Sequence, residues 1–224
     1  MRDMHIHTEC SCDSEAKMED YISEAKRKGI ETICFTDHVD WNPNDYGYHY
    51  YEPDTFWERL LELAGYPYDL IIGSIHWIGD MFPCQQVREQ YSAKEFFTLY
   101  WQEVLKTVQA GEFDVLGHID FPKRYYGEIY YTEAVMKEIF STLVEKDMIL
   151  EINTSSLRKG HTQTMPGKEL LEIYQANGGK YVTIGSDAHV VEDVGADYRI
   201  AKRLIEAIGL REVVYRQRKR QIIS

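Results

Sequence analysis

The sequence predicts an α/β protein in which strands and helices alternate around a parallel sheet. Short apolar runs rich in β-branched residues alternate with longer segments of helical periodicity, and several of these helical segments end at a glycine. Histidines recur at the ends of the predicted strands. The chain has 224 residues, 44% of them hydrophobic, and is therefore predicted to form one domain over residues 1–224.

Six strands are predicted, each a short apolar run. They cover residues 3–8, 31–38, 69–77, 114–120, 148–155 and 181–189. Helical periodicity predicts helices over residues 17–28, 55–64, 93–110, 133–146, 167–177 and 199–208. The segment 40–54 is dense in Asn, Pro, Gly and Tyr and is long for a connection between a strand and a helix. It is predicted to be an active-site loop.

Composition excludes several classes of function. The formal net charge of −12 disfavours a broad surface for nucleic acid, because such binding depends on cations that neutralise phosphates. No apolar segment approaches the roughly eighteen residues that a membrane span needs, so no membrane partner and a cytoplasmic location are expected. The four cysteines show no paired C-x-x-C spacing and are expected to be reduced.

The histidines carry the main functional signal. Six of the eight lie in predicted strands or at their ends: His5, His7, His38, His76, His118 and His189. In parallel strand–helix architectures the carboxyl ends of the strands meet at one edge, so these side chains are expected to converge. His5 and His7 are two residues apart on one strand and therefore face the same side. A single such histidine is more often a surface or core residue, but the recurrence predicts a metal site.

Six motifs occur in order along the chain: HIH at 5–7, TDH at 36–38, GSIHW at 73–77, GHID at 117–120, EINTSSLRKG at 151–160 and GSDAH at 185–189. Together they resemble the polymerase and histidinol phosphatase (PHP) superfamily, and within it the histidinol-phosphate phosphatases. The resemblance implies a distorted (β/α)7 TIM-like barrel with two to three divalent metal ions (zinc, iron or manganese) at the strand ends. It also implies phosphoester hydrolysis.

The resemblance further implies the roles of individual residues. The expected metal ligands are His5, His7 and Asp187 for one ion, His76 and His118 for a second, and Asp13, His38 and His189 for a third. The nucleophile would be a metal-bound hydroxide, so no side-chain nucleophile is assigned. Arg158 is expected to bind the phosphate, with Arg199 as a weaker candidate, and His161 is a possible general acid.

The sequence departs from the family between the TDH and GSIHW motifs. The family has a strand there whose glutamate bridges two metals, and this chain lacks one strand between residues 54 and 69. Glu62 and Glu58 are the candidate bridging residues, although both have helical neighbours. Either the strand has been lost, which predicts weaker metal binding and low activity, or a natural segment is absent near residues 60–61.

The leading hypothesis is a phosphoric monoester hydrolase that converts L-histidinol phosphate to L-histidinol and phosphate in histidine biosynthesis. One alternative is a PHP phosphoesterase for another small phosphate or a nucleotide. Another is a metal-binding protein of reduced activity. The Tyr-rich stretches 46–53 and 125–131 are predicted to line the pocket for a small phosphorylated substrate. The oligomeric state is left open.

Overall fold

The described part of the chain forms eight strands, eight α-helices and one 3-10 helix, Val191–Asp193. The computed structural model of the protein describes residues 1–40, 42–48 and 68–223. The strands are β1 Arg2–Ile6, β2 Thr32–Phe35, β3 Ile72–Gly73, β4 Val115–Leu116, β5 Ile149–Asn153, β6 Tyr181–Gly185, β7 Arg211–Arg216 and β8 Lys219–Ile222. The helices are α1 Met18–Lys28, α2 Gln85–Gln90, α3 Ala93–Ala110, α4 Lys123–Tyr126, α5 Glu133–Glu145, α6 Ser155–Arg158, α7 Lys168–Ala176 and α8 Tyr198–Ile208.

The sheet is mixed. Strands β3, β4, β5, β6 and β7 are parallel neighbours in that order, and β8 pairs antiparallel with β7. Strand β1 pairs parallel with β2. Beyond the end of β6, the backbone N–H of Asp187 donates to the His5 carbonyl and that of His7 to the Ala188 carbonyl, both at 2.9 Å. The carboxyl ends of β1 and β6 are therefore adjacent, which brings the strand ends of both sheets together.

Local sequence explains the longest helix. Ser92 caps α3 by accepting a hydrogen bond from the backbone N–H of Glu95, whose side chain accepts in return from the Ser92 backbone. The apolar face of α3, including Phe97, Trp101 and Val104, is buried in the main core, and α3 packs against α5. Replacing the Ser92 cap with alanine is expected to cost about 1 kcal/mol of stability.

The main core lies between one face of the sheet and helices α3, α5, α7 and α8. A smaller cluster packs α1 against β1, with Ile6 and Tyr21 fully buried. Strands β5 and β6 are buried at nearly every residue, as is usual for strands covered on both faces. The strand ends therefore lie over a rigid core.

The predicted α/β class is confirmed, and the five predicted helices in the described ranges agree with the structure to within about a residue. The structure adds β7 and β8, which were not predicted: β8 (KRQI) carries only one apolar residue, and the apolar run of β7 (REVVYR) has only three. Strands β3 and β4 are shorter than predicted: the histidines of those segments follow the strands instead of lying in them. The predicted helix 55–64 and the missing strand between 54 and 69 fall mainly outside the described residues. No helix in the described ranges is long and apolar enough to cross a membrane.

Candidate metal centre

The eight predicted metal ligands lie together at the carboxyl ends of the strands. Among them are two groups in which each residue offers one ligand atom, and within a group these atoms all lie within 4.8 Å of one another. We call His5, His7 and Asp187 the β1 group, and His7, Asp13, His38 and His189 the Asp13 group. His76 and His118, whose Nε2 atoms lie 3.4 Å apart, form the His76 pair. Glu58 and Glu62 lie outside the described residues.

The β1 group is the most enclosed of these. His5 lies on β1 and His7 directly follows the last residue of that strand, and their Nε2 atoms are 2.9 Å apart. The Asp187 Oδ1 atom lies 3.7 Å from the Nε2 of His5 and 3.3 Å from that of His7. The three residues are only 4%, 2% and 8% exposed. Two ring nitrogens and a carboxylate oxygen that converge in this way match the donor set of a divalent metal site.

Burial keeps several of these imidazoles in the neutral form that binds metal. Burial lowers the pKa of His7 to about 3. The pKa of His118 is held well below its usual value, first by burial and then by His76. The Nδ1 atom of His118 is buried and has no hydrogen-bond partner among the described residues. Neutral imidazole is the ligand form, so the donor set fits divalent cations such as zinc.

Glu151 on β5 positions the first histidine, and the sequence did not reveal this role. Its Oε1 is hydrogen-bonded to His5 Nδ1 at 2.6 Å, and its Oε2 accepts from the backbone N–H of His118 at 2.9 Å. Burial would lower the pKa of His5, but the Glu151 charge raises it to about 9. A Cβ at Gly185 would overlap the Glu151 carboxylate, so glycine is needed there. Carboxylates of this kind orient histidine ligands toward a metal.

The Asp13 group is more open. Asp13 Oδ2 lies 2.7 Å from His189 Nε2 and 3.3 Å from His38 Nε2. The ring of His7 stacks on the rings of His38 and His189, with centroid distances of 4.6 and 4.2 Å. Burial would raise the pKa of Asp13, but hydrogen bonds from His189 and His38 hold it far below its usual value. Asp13, which in sequence resembles a loop or cap residue, therefore carries a negative charge between two imidazoles.

The predicted substrate residues have different surroundings. Arg158 Nη2 donates to the Ser186 carbonyl at 2.6 Å, and its Nε lies 2.9 Å from Asp193 Oδ2, so the guanidinium lies against the end of β6. Arg199 is exposed in the first turn of α8, and no contact within the described ranges joins it to the metal-ligand groups. His161 is half-buried just after α6, where its backbone N–H donates to the Ser156 carbonyl.

Arg124 is a second cation at the centre, and it was not predicted. Its Nη2 donates to Ser155 Oγ at 2.6 Å and lies 3.4 Å from Asp187 Oδ2. Its side chain is 12% exposed, and its Nε is buried without a partner in the described part of the chain. The sequence feature that could have pointed to Arg124 is its place six residues after the predicted ligand His118. Arg124 is therefore closer to the β1 group than Arg199.

Aromatic rings line one side of the His76 pair. The ring of Phe121 lies 4.7 Å from that of His76 and 5.3 Å from that of His118, measured between centroids. Tyr125 and Phe82 continue this surface through edge contacts with Phe121. Tyr125 belongs to one of the two predicted Tyr-rich stretches. In the other, Tyr46 is 74% exposed and residues 49–53 lie outside the described ranges.

Comparison with known proteins identifies relatives whose similarity extends over nearly the whole chain. The sequence profile of the PHP domain matches residues 3–63 and 45–155. A probable histidinol-phosphatase of Clostridium acetobutylicum is 28% identical over 96% of this chain and 97% of its own. A probable histidinol-phosphatase of Thermotoga maritima is 30% identical, with 87% of each chain covered.

A solved structure is also similar. It is histidinol phosphate phosphatase from Lactococcus lactis subsp. lactis Il1403 in complex with zinc, L-histidinol and phosphate. Its TM-score is 0.78 at 25% sequence identity, and 98% of each chain is covered.

The alignment also bears on the expected loss of a strand. The match to the Clostridium acetobutylicum protein extends over 252 positions, more than the 224 residues of this chain. That relative therefore has residues with no counterpart here. The two profile matches overlap at residues 45–63, which include part of the expected position of the missing strand, residues 54–69. From its motifs, its site and these matches, the chain belongs to the PHP domain family.

Proposed function

We propose that this protein is a metal-dependent phosphomonoesterase that hydrolyses L-histidinol phosphate to L-histidinol and phosphate. The observation that carries the proposal is the convergence of eight ligand-type side chains at the strand ends, in groups that share His7 or adjoin one another. Similarity to histidinol-phosphatases over nearly the full chain supports the choice of substrate. The Lactococcus lactis relative binds both products of this reaction.

In this proposal two to three divalent ions are held by the β1 group, the His76 pair and the Asp13 group. Zinc in the Lactococcus lactis relative supports a divalent metal, and iron and manganese suit the same nitrogen and oxygen donors. When bound, such ions activate water at neutral pH and neutralise phosphoryl oxygens. The protein provides a site in which Asp187 and Asp13 supply negative charge, because their pKa values are lowered, and in which burial lowers the pKa of His7 and His118.

Two arginines would receive the substrate phosphate. A phosphomonoester is a dianion, and guanidinium groups bind phosphate through paired N–H donors. Arg124 is held beside Asp187 by Ser155, and Arg158 is held at the Ser186 carbonyl, so both are fixed before substrate arrives. In the same proposal His161 protonates the leaving alkoxide.

The aromatic surface formed by Phe121, Tyr125 and Phe82 would pack against the substrate imidazole. This surface lies beside the His76 pair, and the guanidinium of Arg124 lies over the Phe121 ring, 5.3 Å from its centroid. Arg124 also lies 3.4 Å from Asp187, so the aromatic surface adjoins a cation that would bind the phosphate. This arrangement would receive a phosphate ester that carries an aromatic ring.

For the fold we propose one domain whose strands form a distorted (β/α)7 barrel. The parallel pairing of β1 with β2 and of β3 with β4, β5 and β6 supports this, as do the hydrogen bonds between the ends of β1 and β6. Together they give a continuous parallel order of β2, β1, β6, β5, β4 and β3 at the carboxyl ends of the strands.

A second candidate function is a metal-binding protein with low phosphatase activity. The longer alignment with the Clostridium acetobutylicum relative favours it, because that relative has residues without a counterpart in this chain. If these residues of the relative include the strand with the bridging glutamate, this chain lacks that ligand and would bind metal more weakly. The two candidates therefore differ in turnover, and the second also binds at least one metal more weakly.

Phosphate release separates these possibilities. The protein, purified without chelator, is assayed with L-histidinol phosphate, glycerol 3-phosphate, AMP and p-nitrophenyl phosphate, and its metal content is measured in parallel. We expect kcat/KM for L-histidinol phosphate to exceed the others by at least about tenfold, and chelation to abolish activity. A preference for AMP would overturn the substrate assignment, and metal content without turnover would favour the second candidate.

A further inference from the structure

We propose that Ser11 is a positioning residue that fixes the proton of His7 on Nδ1 and so leaves Nε2 free to bind metal. Ser11 is only 2% exposed. Its Oγ lies 3.3 Å from His7 Nδ1 and donates to Asp13 Oδ1 at 2.8 Å, and it accepts from the backbone N–H of His38 at 3.2 Å. One buried hydroxyl therefore contacts three of the predicted metal ligands.

The chain after β1 places Ser11 at this point. Thr8 follows His7, and its backbone N–H and hydroxyl donate to the two carboxylate oxygens of Asp37 at 2.6 and 2.9 Å. The backbone N–H of Ser11 donates to the Thr8 carbonyl at 2.8 Å, which closes a turn. The Ser11 side chain is thereby directed back at the ring of His7, four residues earlier.

Neighbouring histidines show what a partner at Nδ1 does. The Nδ1 atom of His5 is hydrogen-bonded to a Glu151 carboxylate oxygen at 2.6 Å. The Nδ1 atom of His38 lies 3.3 Å from Asp40 Oδ2, and Asp40 forms a further group of ligand-type residues with His38 and His76. A carboxylate only accepts, so in this arrangement a ring that binds metal through Nε2 keeps its proton on Nδ1.

At His7 the corresponding partner is the Ser11 hydroxyl, which can both donate and accept. Its single proton goes to Asp13 Oδ1, because a carboxylate only accepts. One of its lone pairs accepts from the His38 backbone N–H, so the other faces His7 Nδ1 as an acceptor. His7 therefore carries its proton on Nδ1. Its Nε2 lone pair is free for a metal or, in the metal-free protein, for the Nε2–H of His5 at 2.9 Å.

The same hydroxyl links two ligand groups. Ser11 holds one carboxylate oxygen of Asp13, while the other oxygen, Oδ2, faces His189 and His38. His7 is a member of both the β1 group and the Asp13 group. Loss of the Ser11 hydroxyl is therefore expected to weaken metal binding at both groups.

The alternative is that Ser11 only stabilises the turn after β1. Alanine separates the two roles, because it removes the hydroxyl but keeps the backbone N–H that donates to Thr8. In Ser11→Ala the Nδ1 atom of His7 would face Asp13 Oδ1 at 3.8 Å, which is too long for a hydrogen bond. The Nε2 atom of His7 lies 3.3 Å from Asp187 Oδ1, so the proton is expected to shift towards Nε2.

The first measurement locates the proton on His7 in full-length, metal-free protein. Proton–nitrogen correlation spectra of protein with isotope-labelled histidine distinguish a proton on Nδ1 from one on Nε2, and His7→Phe assigns the signals. Wild type is expected to carry the His7 proton on Nδ1, and Ser11→Ala is expected to raise the fraction with the proton on Nε2. A wild-type His7 with its proton on Nε2 would overturn the inference, whether or not Ser11→Ala folds.

The second measurement is zinc affinity, by competition with a chromophoric chelator, with circular dichroism as a check of folding. Ser11→Ala is expected to bind zinc at least about tenfold more weakly than wild type, because His7 loses the partner that orients it. Ser11→Thr keeps a hydroxyl and is expected to bind zinc nearly as tightly as wild type.

Ser23→Ala is the matched control. It removes an exposed hydroxyl on α1 that donates to the Glu19 carbonyl at 2.8 Å, and it is expected to match wild type. A folded Ser11→Ala protein with the wild-type position of the His7 proton and the wild-type zinc affinity would show that Ser11 only stabilises the turn, and the inference would be wrong.

This inference rests on the metal binding in the proposed function, and the measurements distinguish the two failures. Wild-type protein that binds zinc but releases no phosphate would refute the proposed function alone, because the proton on His7 is located in metal-free protein. Fully active wild-type protein whose His7 carries its proton on Nε2 would refute only the role of Ser11.

Discussion

The β1 group and the region of Asp40 and the His76 pair are built in different ways. In the β1 group each side chain has a buried partner: Glu151 for His5, Ser11 for His7 and Ser155 for Asp187. In the second region the side chains follow the two-residue strands β3 and β4 or lie on the segment after β2, and His118 Nδ1 has no partner within the described residues. A site held by a buried hydrogen-bond network is pre-organised, whereas a site on strand-end segments depends more on the bound ion.

The largest effect is expected from Asp187→Asn, which breaks the β1 group at its centre. Asp187 faces both histidines through Oδ1 and both Ser155 and Arg124 through Oδ2. We expect kcat to fall by at least about a thousandfold, because one ligand and the anchor of Arg124 change together. Steady-state assays with L-histidinol phosphate measure this. A variant with more than a tenth of wild-type kcat and full metal content would contradict the central place of the β1 group.

The next largest effect is expected from Arg124→Gln. Its guanidinium is fixed beside Asp187, so we expect kcat/KM to fall by about a hundredfold for phosphate esters, with unchanged metal content. Arg199→Gln is the matched control and is expected to lie within about twofold of wild type, because Arg199 is exposed. A larger fall in kcat/KM for Arg199→Gln than for Arg124→Gln would show that the substrate phosphate binds on the α8 side.

Glu151→Gln tests whether the buried network pre-organises the β1 group. Glutamine keeps an acceptor but loses the charge that acts on His5, so we expect zinc at this group to bind about 10- to 100-fold more weakly. Competition with a chromophoric chelator gives the affinity. Glu145→Gln, at an exposed position at the end of α5, serves as the control and should leave the affinity unchanged. An unchanged affinity for Glu151→Gln would mean that the network has no influence on metal binding.

A smaller effect is expected on the stability of the metal-free protein as the pH falls. The folded-state pKa values of His7 and His118 are lowered by burial, so between about pH 6.5 and pH 5 the unfolded chain binds protons that the folded chain does not. Stability should therefore fall across this window by up to about 2 kcal/mol per histidine. Urea denaturation at the two pH values measures it. His7→Phe should reduce this loss, and a metal-free protein equally stable at both values would contradict the neutral state of these imidazoles.

Much of the centre could be predicted from local sequence, and the rest depends on contacts between distant residues. The alternation of His5 and His7 along a strand, and the recurrence of histidines after apolar runs, are local patterns, and the structure brings all eight expected ligands together. Glu151 lies 146 residues from its partner His5, so no spacing rule could link them.

The positions of Asp40 and Arg124 beside the ligand cluster were not predicted, for related reasons. Asp40 follows the TDH motif within a polar segment, where a carboxylate is usually solvated, and its closeness to His76 depends on how that segment packs. Arg124 resembles a surface residue of a short helix until Ser155 and Asp187 are seen beside it. Strand β8 (KRQI) carries one apolar residue, and the apolar run of β7 (REVVYR) is only three residues long and lies between charged residues, so neither matched the longer apolar runs that predicted the other strands.

The most direct test of a metal-dependent histidinol-phosphate phosphatase is a zinc titration of the metal-free protein, with phosphate release from L-histidinol phosphate as the readout. Activity is expected to be absent without metal and to rise until it saturates at two to three ions per chain. Phosphate release by the metal-free protein, or no release at any zinc ratio in protein that binds the ions, would contradict the proposed function.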